Sequence, residues 1–500
     1  MRNEQIVVTN PATLEEVRER PVDVVSEATL EKMFAKARRA QREWRESSVG
    51  QRKRALRKIQ RYFIWHYEEL IKEIRLETGK VWPDAMLEPL SAVGDLAWLT
   101  WNAKNILCEE TSSWPCLGLI NRRGETNYTQ ALPVVGVITP WNLPLAIPAA
   151  DIFPAILCGS AVIWKPSEYT PFTALKVAEI IQKLGCFPDG LLQVAPGYAE
   201  TGKAIVERAD GIAFTGSCDA GLNVMESCFR RQIPCNPEMS GQTPGIVWPP
   251  YNFERTVNAA VWHAFANSGA YCKALRLLIV ARHEYERVVE VLVRRACMLL
   301  PGIDYGPIIT APQLEIIENR VARAVDGGAE VLCGGKRPYG MPGRYYEPTV
   351  IARATFDMEL LAEETFGPVL AVMPADTLEE AISLANRSRY GLNGAVFTRS
   401  KKIAKQVRQE LEVGNLNRND CMMNWMFAGL PQCGTKRSAA PMSGIPRHGF
   451  FGARRFTTPR TYVEPTFPLP FSDWELWWYP YTESTEWALR FFIHTYWPFV

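Results

Sequence analysis

Cys272 and Glu238 are the two residues of this chain whose types and settings could together do covalent chemistry. Cys272 ends the stretch Phe265-Ala266-Asn267-Ser268-Gly269-Ala270-Tyr271-Cys272, and Glu238 begins Glu238-Met239-Ser240-Gly241 some 34 residues earlier. A thiolate is a nucleophile, and a carboxylate can activate the water that clears an acyl group from it. Each sits in a glycine-bearing stretch that reads as a turn. A cysteine in an apolar segment is by itself more often a small core residue. The neighbourhood has to decide.

Three other segments have the residue types of a nucleotide site. Phe214-Thr215-Gly216-Ser217-Cys218-Asp219-Ala220-Gly221 reads as a strand, a tight turn and a helix start. A helix N-terminus with close backbone approach can hold a pyrophosphate. No G-x-G-x-x-G stands between a strand and a helix, so the common dinucleotide fingerprint is missing. Thr139-Pro140-Trp141-Asn142 and Lys165-Pro166-Ser167-Glu168 each follow a predicted strand, at the end where open sheets bind ligands. Lys165 and Glu168 could hydrogen-bond ribose hydroxyls there, or form a plain loop charge pair. Glu363-Glu364-Thr365-Phe366-Gly367-Pro368 brings a carboxylate and an aromatic ring to the start of another strand.

These segments need a frame. Residues 26–78 predict helices, with Ser26 as a cap and Gly79 ending the second. Strands at 134–139, 161–165, 191–195, 211–214 and 245–248 alternate with helices at 144–158, 171–184, 199–208 and 218–229. A second series has strands at 274–280, 329–333, 368–374 and 393–397, and helices at 284–299, 312–326, 377–388 and 400–411. Short buried strands alternating with helices predict an α/β fold of two tandem doubly wound parallel-sheet domains, with a ligand cleft between them. Residues 116–133 read instead as a hairpin with Gly124 near its turn.

The bulk composition excludes several classes. Lys+Arg 56 against Asp+Glu 54 leaves no basic excess for nucleic acid. The N-terminus lacks a leader pattern, and no run of 18 apolar residues marks a membrane span. Twelve cysteines without a C-x-x-C pair, and five histidines, argue against a metal site and for a reduced, cytoplasmic protein. Eleven Lys or Arg fall between Lys36 and Arg61. They read as a solvated helix face, with anion or membrane-surface contact as the alternative. Thirteen of the last 36 residues are aromatic, and 483–497 could form a helix with the polar stripe Glu483, Glu486, Arg490 and His494. That tail suits packing on its own or a partner subunit, or peripheral membrane contact.

Taken in order and spacing, the quoted motifs resemble those of the NAD(P)-dependent aldehyde dehydrogenase superfamily over about residues 8–463. The stretch Arg447-His448-Gly449-Phe450-Phe451-Gly452 is similar to bacterial succinate-semialdehyde dehydrogenase-like members. The resemblance implies that Cys272 is the nucleophile, Glu238 the general base for hydrolysis, and Asn142 with the Cys272 N–H the oxyanion hole. It implies a dinucleotide site from Thr139, Pro140, Trp141, Lys165, Glu168, Gly202, Phe214, Gly216, Ser217, Glu364 and Phe366. Glu168 at a ribose 2′-hydroxyl would favour NAD over NADP. The implied layout is a Rossmann-like NAD-binding domain from 1–113 and 134–240, and a catalytic domain at 241–445. An oligomerisation arm from 114–133 and 456–466 and a tail at 467–500 complete it, in a homodimer or homotetramer.

The implied reaction oxidises an aldehyde to its acid through a thiohemiacetal and a thioester on Cys272. A coenzyme A-acylating enzyme or acyl reductase, and a non-catalytic structural member, are the alternatives. Ala270 stands where the family usually has Gln, Ser240 where a second Gly is usual, and Leu143 where Phe is frequent. Pro431-Gln432-Cys433-Gly434-Thr435-Lys436 departs from the common Pro-Phe-Gly-Gly-x-Lys pattern. These departures bear on the substrate pocket.

Overall fold

Strands buried on both faces need aliphatic residues throughout, and the runs that carry them form two sheets. The computed structural model describes residues 4–113, 122–439, 446–465, 479, 481–491 and 494. Val134–Ile138 (β1), Ala161–Lys165 (β2), Leu192–Val194 (β3), Gly211–Thr215 (β4) and Cys235–Glu238 (β5) make a five-stranded sheet in the order β3-β2-β1-β4-β5. All its pairs are parallel. The chain crosses from one side of β1 to the other, so a crevice opens beyond the carboxyl ends of β1 and its neighbours.

The second sheet comprises Thr243–Val247 (β6), Leu275–Ala281 (β7), Glu330–Cys333 (β8), Thr349–Ala352 (β9), Val369–Ala375 (β10), Asn393–Phe397 (β11) and Asn415–Arg418 (β12). Its order is β8-β9-β10-β7-β6-β11-β12, parallel except for β8 at one edge, which runs antiparallel to β9. Side chains alternate between two cores. Ile246, Leu277, Ile279 and Ile351 point to one, and Val247, Leu278, Val280 and Val350 to the other.

Four helices precede the first sheet: Glu27–Arg45 (α1), Val49–Trp65 (α2), Tyr67–Thr78 (α3) and Trp82–Ile106 (α4). Gly79 therefore ends the third helix, not the second. The break comes at Ser48, where a capping box with Gln51 restarts the chain as α2. The basic cluster is more than a solvated face. Arg52 is buried and donates to the carbonyls of Leu157 (3.2 Å) and Cys158 (2.7 Å), at the end of helix Ala146–Cys158 (α5). Trp44 Nε1 donates to Ile156 O (2.8 Å) beside it. A cation is favoured at a helix C-terminus, and these bonds satisfy carbonyls that α5 cannot pair within itself. Arg38 also pairs with Asp210 (2.9 Å).

The described residues of Met1–Ile106 and Ala131–Phe456 form one compact unit, and those of Leu107–Gln130 and Thr457–Val500 a second. Both large sheets belong to the first. In the other, strand Arg122–Ala131 lies between Glu110–Ser113 and Thr457–Pro465. Gly124 lies inside that central strand, opposite Ser112, so it is not at a turn. The expected helix at 483–497 is Glu483–Phe491. Residues 114–121, 466–478, 492–493 and 495–500, on which parts of the arm and tail expectations rest, lie outside the described residues. Among the described residues no helix is long and apolar enough to cross a membrane.

Candidate active site

The motif residues collect at the carboxyl ends of the first sheet and the amino ends of the second. Thr139–Asn142 follow β1, Lys165–Glu168 begin at the end of β2, Gly216–Ser217 follow β4 and Glu238 ends β5. Cys272 precedes β7 and Glu364–Phe366 precede β10. Cys272 and Glu238 line one cavity, together with Leu143, Ile147, Met422 and Trp425.

The loop before Cys272 is held in an uncommon backbone. Asn267, Ser268 and Gly269 have φ of 50°, 51° and 69°. For the two non-glycine residues that costs of order 1–3 kcal/mol each, so the surroundings must hold them. The Asn267 amide donates to Asp84 Oδ2 (2.9 Å), and Ser268 Oγ donates to Gly306 O (2.5 Å). The buried Arg276 guanidinium donates to the carbonyls of Gly269 and Gly367. A Cβ on Gly269 would stand 2.2 Å from Gly367 O. Burial pushes the Asp84 carboxyl up to about 6.

The segment carrying Glu238 touches this loop directly. A Cβ on Gly241 would lie 2.1 Å from the Cys272 carbonyl oxygen, so only glycine fits there. The Gly241 amide donates to Glu364 Oε1 (2.9 Å), and burial raises the Glu364 carboxyl above its ordinary value. Burial likewise pushes the Cys272 thiol up to about 11, with the Lys273 ammonium the largest opposing influence.

Asn142 is fixed at both ends. Its Nδ2 donates to Ala270 O (2.9 Å), and its carbonyl accepts from Lys80 Nζ (2.6 Å) and Asn267 Nδ2 (3.4 Å). One N–H of the side-chain amide is left beyond the bond to Ala270. Lys80 forms a buried ion pair with Glu88 (2.5 Å), whose other oxygen accepts from the amides of Leu145 (2.8 Å) and Ala146 (3.3 Å) at the start of α5.

A second cleft, of about 600 Å³, is lined by Lys165, Gly202, Phe214, Ala220 and Val224. It runs along helices Ala199–Val206 (α7) and Cys218–Arg230 (α8), which follow helix Pro171–Leu184 (α6) in the chain. Gly202 lies against the lysine stem, where a Cβ would make an ordinary 3.6 Å contact with Lys165 Cδ. Ser217 caps α8, accepting from the Ala220 amide (3.4 Å). Burial lowers the Lys165 ammonium, and Glu168, 3.7 Å away, opposes that. Gly221 lets α8 approach Met239, whose Sδ would be 2.5 Å from a Cβ there. An open cleft, a capped helix start, an ammonium and a carboxylate are the donor and acceptor set that a dinucleotide needs. Thr139 Oγ1 accepts from Trp164 Nε1 (2.9 Å), Pro140 is half-buried in the same loop, and Trp141 meets Phe366 edge to face (5.4 Å).

Of the expected residues, Cys272 and Glu238 line the first cavity, and Lys165, Gly202 and Phe214 the second. Asn142, Glu168, Ser217, Glu364 and Phe366 line neither and stand around them as described. The sequence gives no site role to Lys80, Glu88 or Lys273, and Gln432 and Arg447 are quoted only within longer stretches. Lys273 follows the nucleophile candidate and Lys80 follows a helix-ending glycine. Nothing local in the sequence marks Glu88, and Arg447 opens the quoted stretch 447–452 without a role being read for it. Arg447 donates to both Asp151 oxygens (3.0 and 2.8 Å) and to Thr215 Oγ1 (2.6 Å) at the cavity wall. Among the described residues, no group of three His, Cys, Asp or Glu could hold a metal ion.

A model of the aldehyde dehydrogenase family matches residues 1–450. The chain is 30% identical over 470 residues to a Mycobacterium bovis protein named "Putative succinate-semialdehyde dehydrogenase (NADP(+)) 2", covering 91% of this chain and 89% of that one. It is 32% identical over 467 residues to the 4,4'-diapolycopene aldehyde oxidase of a Methylomonas species, covering 91% and 85%. Among solved structures, the "Putative Aldehyde Dehydrogenase PutA" of Anabaena variabilis superposes with a TM-score of 0.88 at 30% identity, covering 95% of this chain and all of that one. Betaine aldehyde dehydrogenase of Staphylococcus aureus with NAD+ gives 0.86 at 27% identity, covering 94% and 93%.

Gly241→Ala tests the contact between the two motif segments. The added methyl must push the Cys272 backbone aside, and a displacement of about 1 Å at a reacting atom can cost roughly 100-fold in rate. The expected outcome is a fall in kcat of that order with cofactor binding retained, read by steady-state kinetics and fluorescence titration. Unchanged kcat would show that the contact does not set the thiol's position.

Proposed function

The chain belongs to the aldehyde dehydrogenase family, and from that premise we propose that it oxidises an aldehyde to the carboxylic acid through an acyl group carried on Cys272. The observation that supports this most is the single cavity that Cys272 and Glu238 share. The Cys272 thiolate attacks the aldehyde carbon, and the carbonyl electron pair moves to oxygen, giving a thiohemiacetal. The remaining N–H of Asn142 and the Cys272 amide steady that oxyanion, and such donors are typically worth about 3–4 kcal/mol. A nicotinamide dinucleotide, the family's cofactor, supplies the oxidant by accepting the hydride. Cys272 is then left as a thioester. Glu238 takes a proton from water, the water oxygen attacks the acyl carbon, and the Cys272 thiolate leaves as the acid forms.

Glu238 favours hydrolysis over transfer to coenzyme A, which needs no water-activating base. Retention of Cys272, Glu238 and Asn142 together disfavours a non-catalytic member. The dinucleotide would lie along the cleft at Lys165, Gly202 and Phe214, its pyrophosphate at Ser217. Glu168 would sit at the ribose, Glu364 and Phe366 at the nicotinamide end. We favour NAD, because the Glu168 carboxylate would repel a 2′-phosphate, even though the mycobacterial relative carries NADP in its name. On this reading the five-stranded sheet with residues 1–113 is the cofactor domain and 241–445 the catalytic one. The antiparallel strands form an arm in a homodimer or homotetramer, in the cytoplasm. The tail is a candidate peripheral membrane contact.

The cavity also narrows the aldehyde. Its lining is largely apolar: Leu143, Ala146, Ile147, Ala150, Met422 and Trp425. Arg447 is taken up by Asp151 and Thr215. The Asp95 carboxylate also lines the cavity, and its Oδ2 has no hydrogen-bond partner among the described residues. Apolar walls, with the Asp95 carboxylate 3.4 Å from His448 Nδ1 among them, disfavour an aldehyde with an anionic end. We therefore assign an uncharged, apolar aldehyde.

Two measurements test this reading. Glu238→Gln should give one burst of reduced cofactor and then stall, so loss of the burst as well would remove the base role. In a substrate panel with NAD and with NADP, medium-chain aliphatic aldehydes should exceed succinate semialdehyde in kcat/KM by about tenfold or more, with free acid as product and NAD preferred. A preference for succinate semialdehyde would overturn the substrate assignment, and acyl-coenzyme A as the main product would overturn hydrolysis.

A further inference from the structure

Lys273 stands next to Cys272 in the chain and lines the same cavity. It is more than nine-tenths buried, at 8% exposure. Its Nζ donates to Gln432 Oε1, and Gln432 Nε2 donates in turn to Asn424 O (2.8 Å). The Gln432 backbone is clamped to that of Arg447 by two hydrogen bonds (2.7 and 2.8 Å). Among the described residues, no carboxylate lies within ion-pair distance of this ammonium. A buried ammonium without a carboxylate partner is costly unless a charge elsewhere in the site uses it. Gln432 belongs to the stretch in which this chain departs from the family's usual Pro-Phe-Gly-Gly sequence. The lysine and the amide that anchors it are therefore a local cluster in the wall of the reaction cavity.

The thiol of Cys272 is the group that needs such a charge. The charged and titratable groups facing it are Glu238 from β5, Glu364 ahead of β10, Arg447 across the cavity, Arg276 on β7 and Lys273 itself. Both glutamates oppose a thiolate. Arg447 is engaged by Asp151, and Arg276 by the carbonyls of Gly269 and Gly367. Among the described cationic side chains that line the cavity, Lys273 is the one bonded to no carboxylate. We propose that Lys273, anchored by Gln432, is the electrostatic partner that favours the thiolate form of Cys272 in this apolar cavity. The inference rests on the reading of Cys272 as the nucleophile.

The pH dependence has a definite sign. Burial pulls the Lys273 ammonium down to about 8, with Cys272 and Glu238 opposing, and pushes the thiol up to about 11. Forming the thiolate beside the ammonium draws the two ionisations towards each other. The support is present while Lys273 is protonated and is lost as the pH rises through its range.

The test is the pH profile of Cys272 alkylation by iodoacetamide in the full-length protein. The thiolate displaces iodide and forms a thioether, and peptide mass spectrometry reads Cys272 separately from the other cysteines. Lys273→Met should move the midpoint up by one pH unit or more and slow alkylation at pH 7.5 by about tenfold, a factor of ten per unit of displaced ionisation. Lys273→Arg should stay within about threefold of the parent. Lys273→Gln, which keeps a polar contact with Gln432, serves if the methionine variant fails to bind cofactor, and should behave as Met does. Superimposable profiles for the parent and a folded neutral variant would overturn the inference. Full turnover by Cys272→Ser would instead overturn the nucleophile itself, so the two failures are distinct.

Discussion

Lys80 and Glu88 form an ion pair with almost no access to solvent, and two segments of the active centre are bonded to it directly. Taking both charges out of water costs several kcal/mol per ion, and the pair persists because its other bonding capacity is also used. Lys80 donates to the Asn142 carbonyl, and Glu88 accepts two amides at the start of α5. Asn142 then reaches Ala270 O in the nucleophile loop. A chain of buried polar contacts thus runs from the helical layer through the β1 loop to the residues just before Cys272. Removing one charge alone would strand the other, at about 3–5 kcal/mol. The site is rigid at its base for that reason.

The same logic explains a strained loop in a structural core. Asn267 and Ser268 hold left-handed backbone because Asp84 and Gly306 take their polar groups and Arg276 ties down the next carbonyl, that of Gly269. Gly241 packs against the Cys272 carbonyl from the other side. The thiol and the Glu238 carboxylate come from different sheets, and this contact joins them. Their cavity has apolar walls with Asp95, Glu238, Lys273 and Arg447 set among them. That raises the cost of ionising Cys272 and gives each unpaired cation or carboxylate beside it a larger effect than in water.

Much of the frame was legible in the sequence. Helix Pro171–Leu184 and strand Asn393–Phe397 read correctly to the residue, because a glycine follows the helix and the strand is buried throughout. Other strands were hidden for physical reasons. β12 is Asn-Leu-Asn-Arg, and its buried Asn415 and Asn417 are satisfied by side-chain bonds to the carbonyls of Leu392, Cys433 and Cys421, which hydropathy does not register. β5 contains Pro237, which reads as a turn, yet proline is tolerated on an edge strand, and β5 is one. The chemistry-bearing motifs were visible because each pairs a reactive type with a turn. Lys80, Glu88 and Gln432 were not, since a buried charge or amide gains meaning only from distant partners.

Cys272 as carrier of the acyl group is the claim on which the rest turns. The most direct test is peptide mapping by mass spectrometry of the Glu238→Gln protein, acid-quenched during reaction with an aliphatic aldehyde and NAD. A near-stoichiometric acyl mass is expected on the peptide containing Cys272 and on no other cysteine. Reduced cofactor formed without an adduct on Cys272, or with the acyl mass on a different residue, would contradict it.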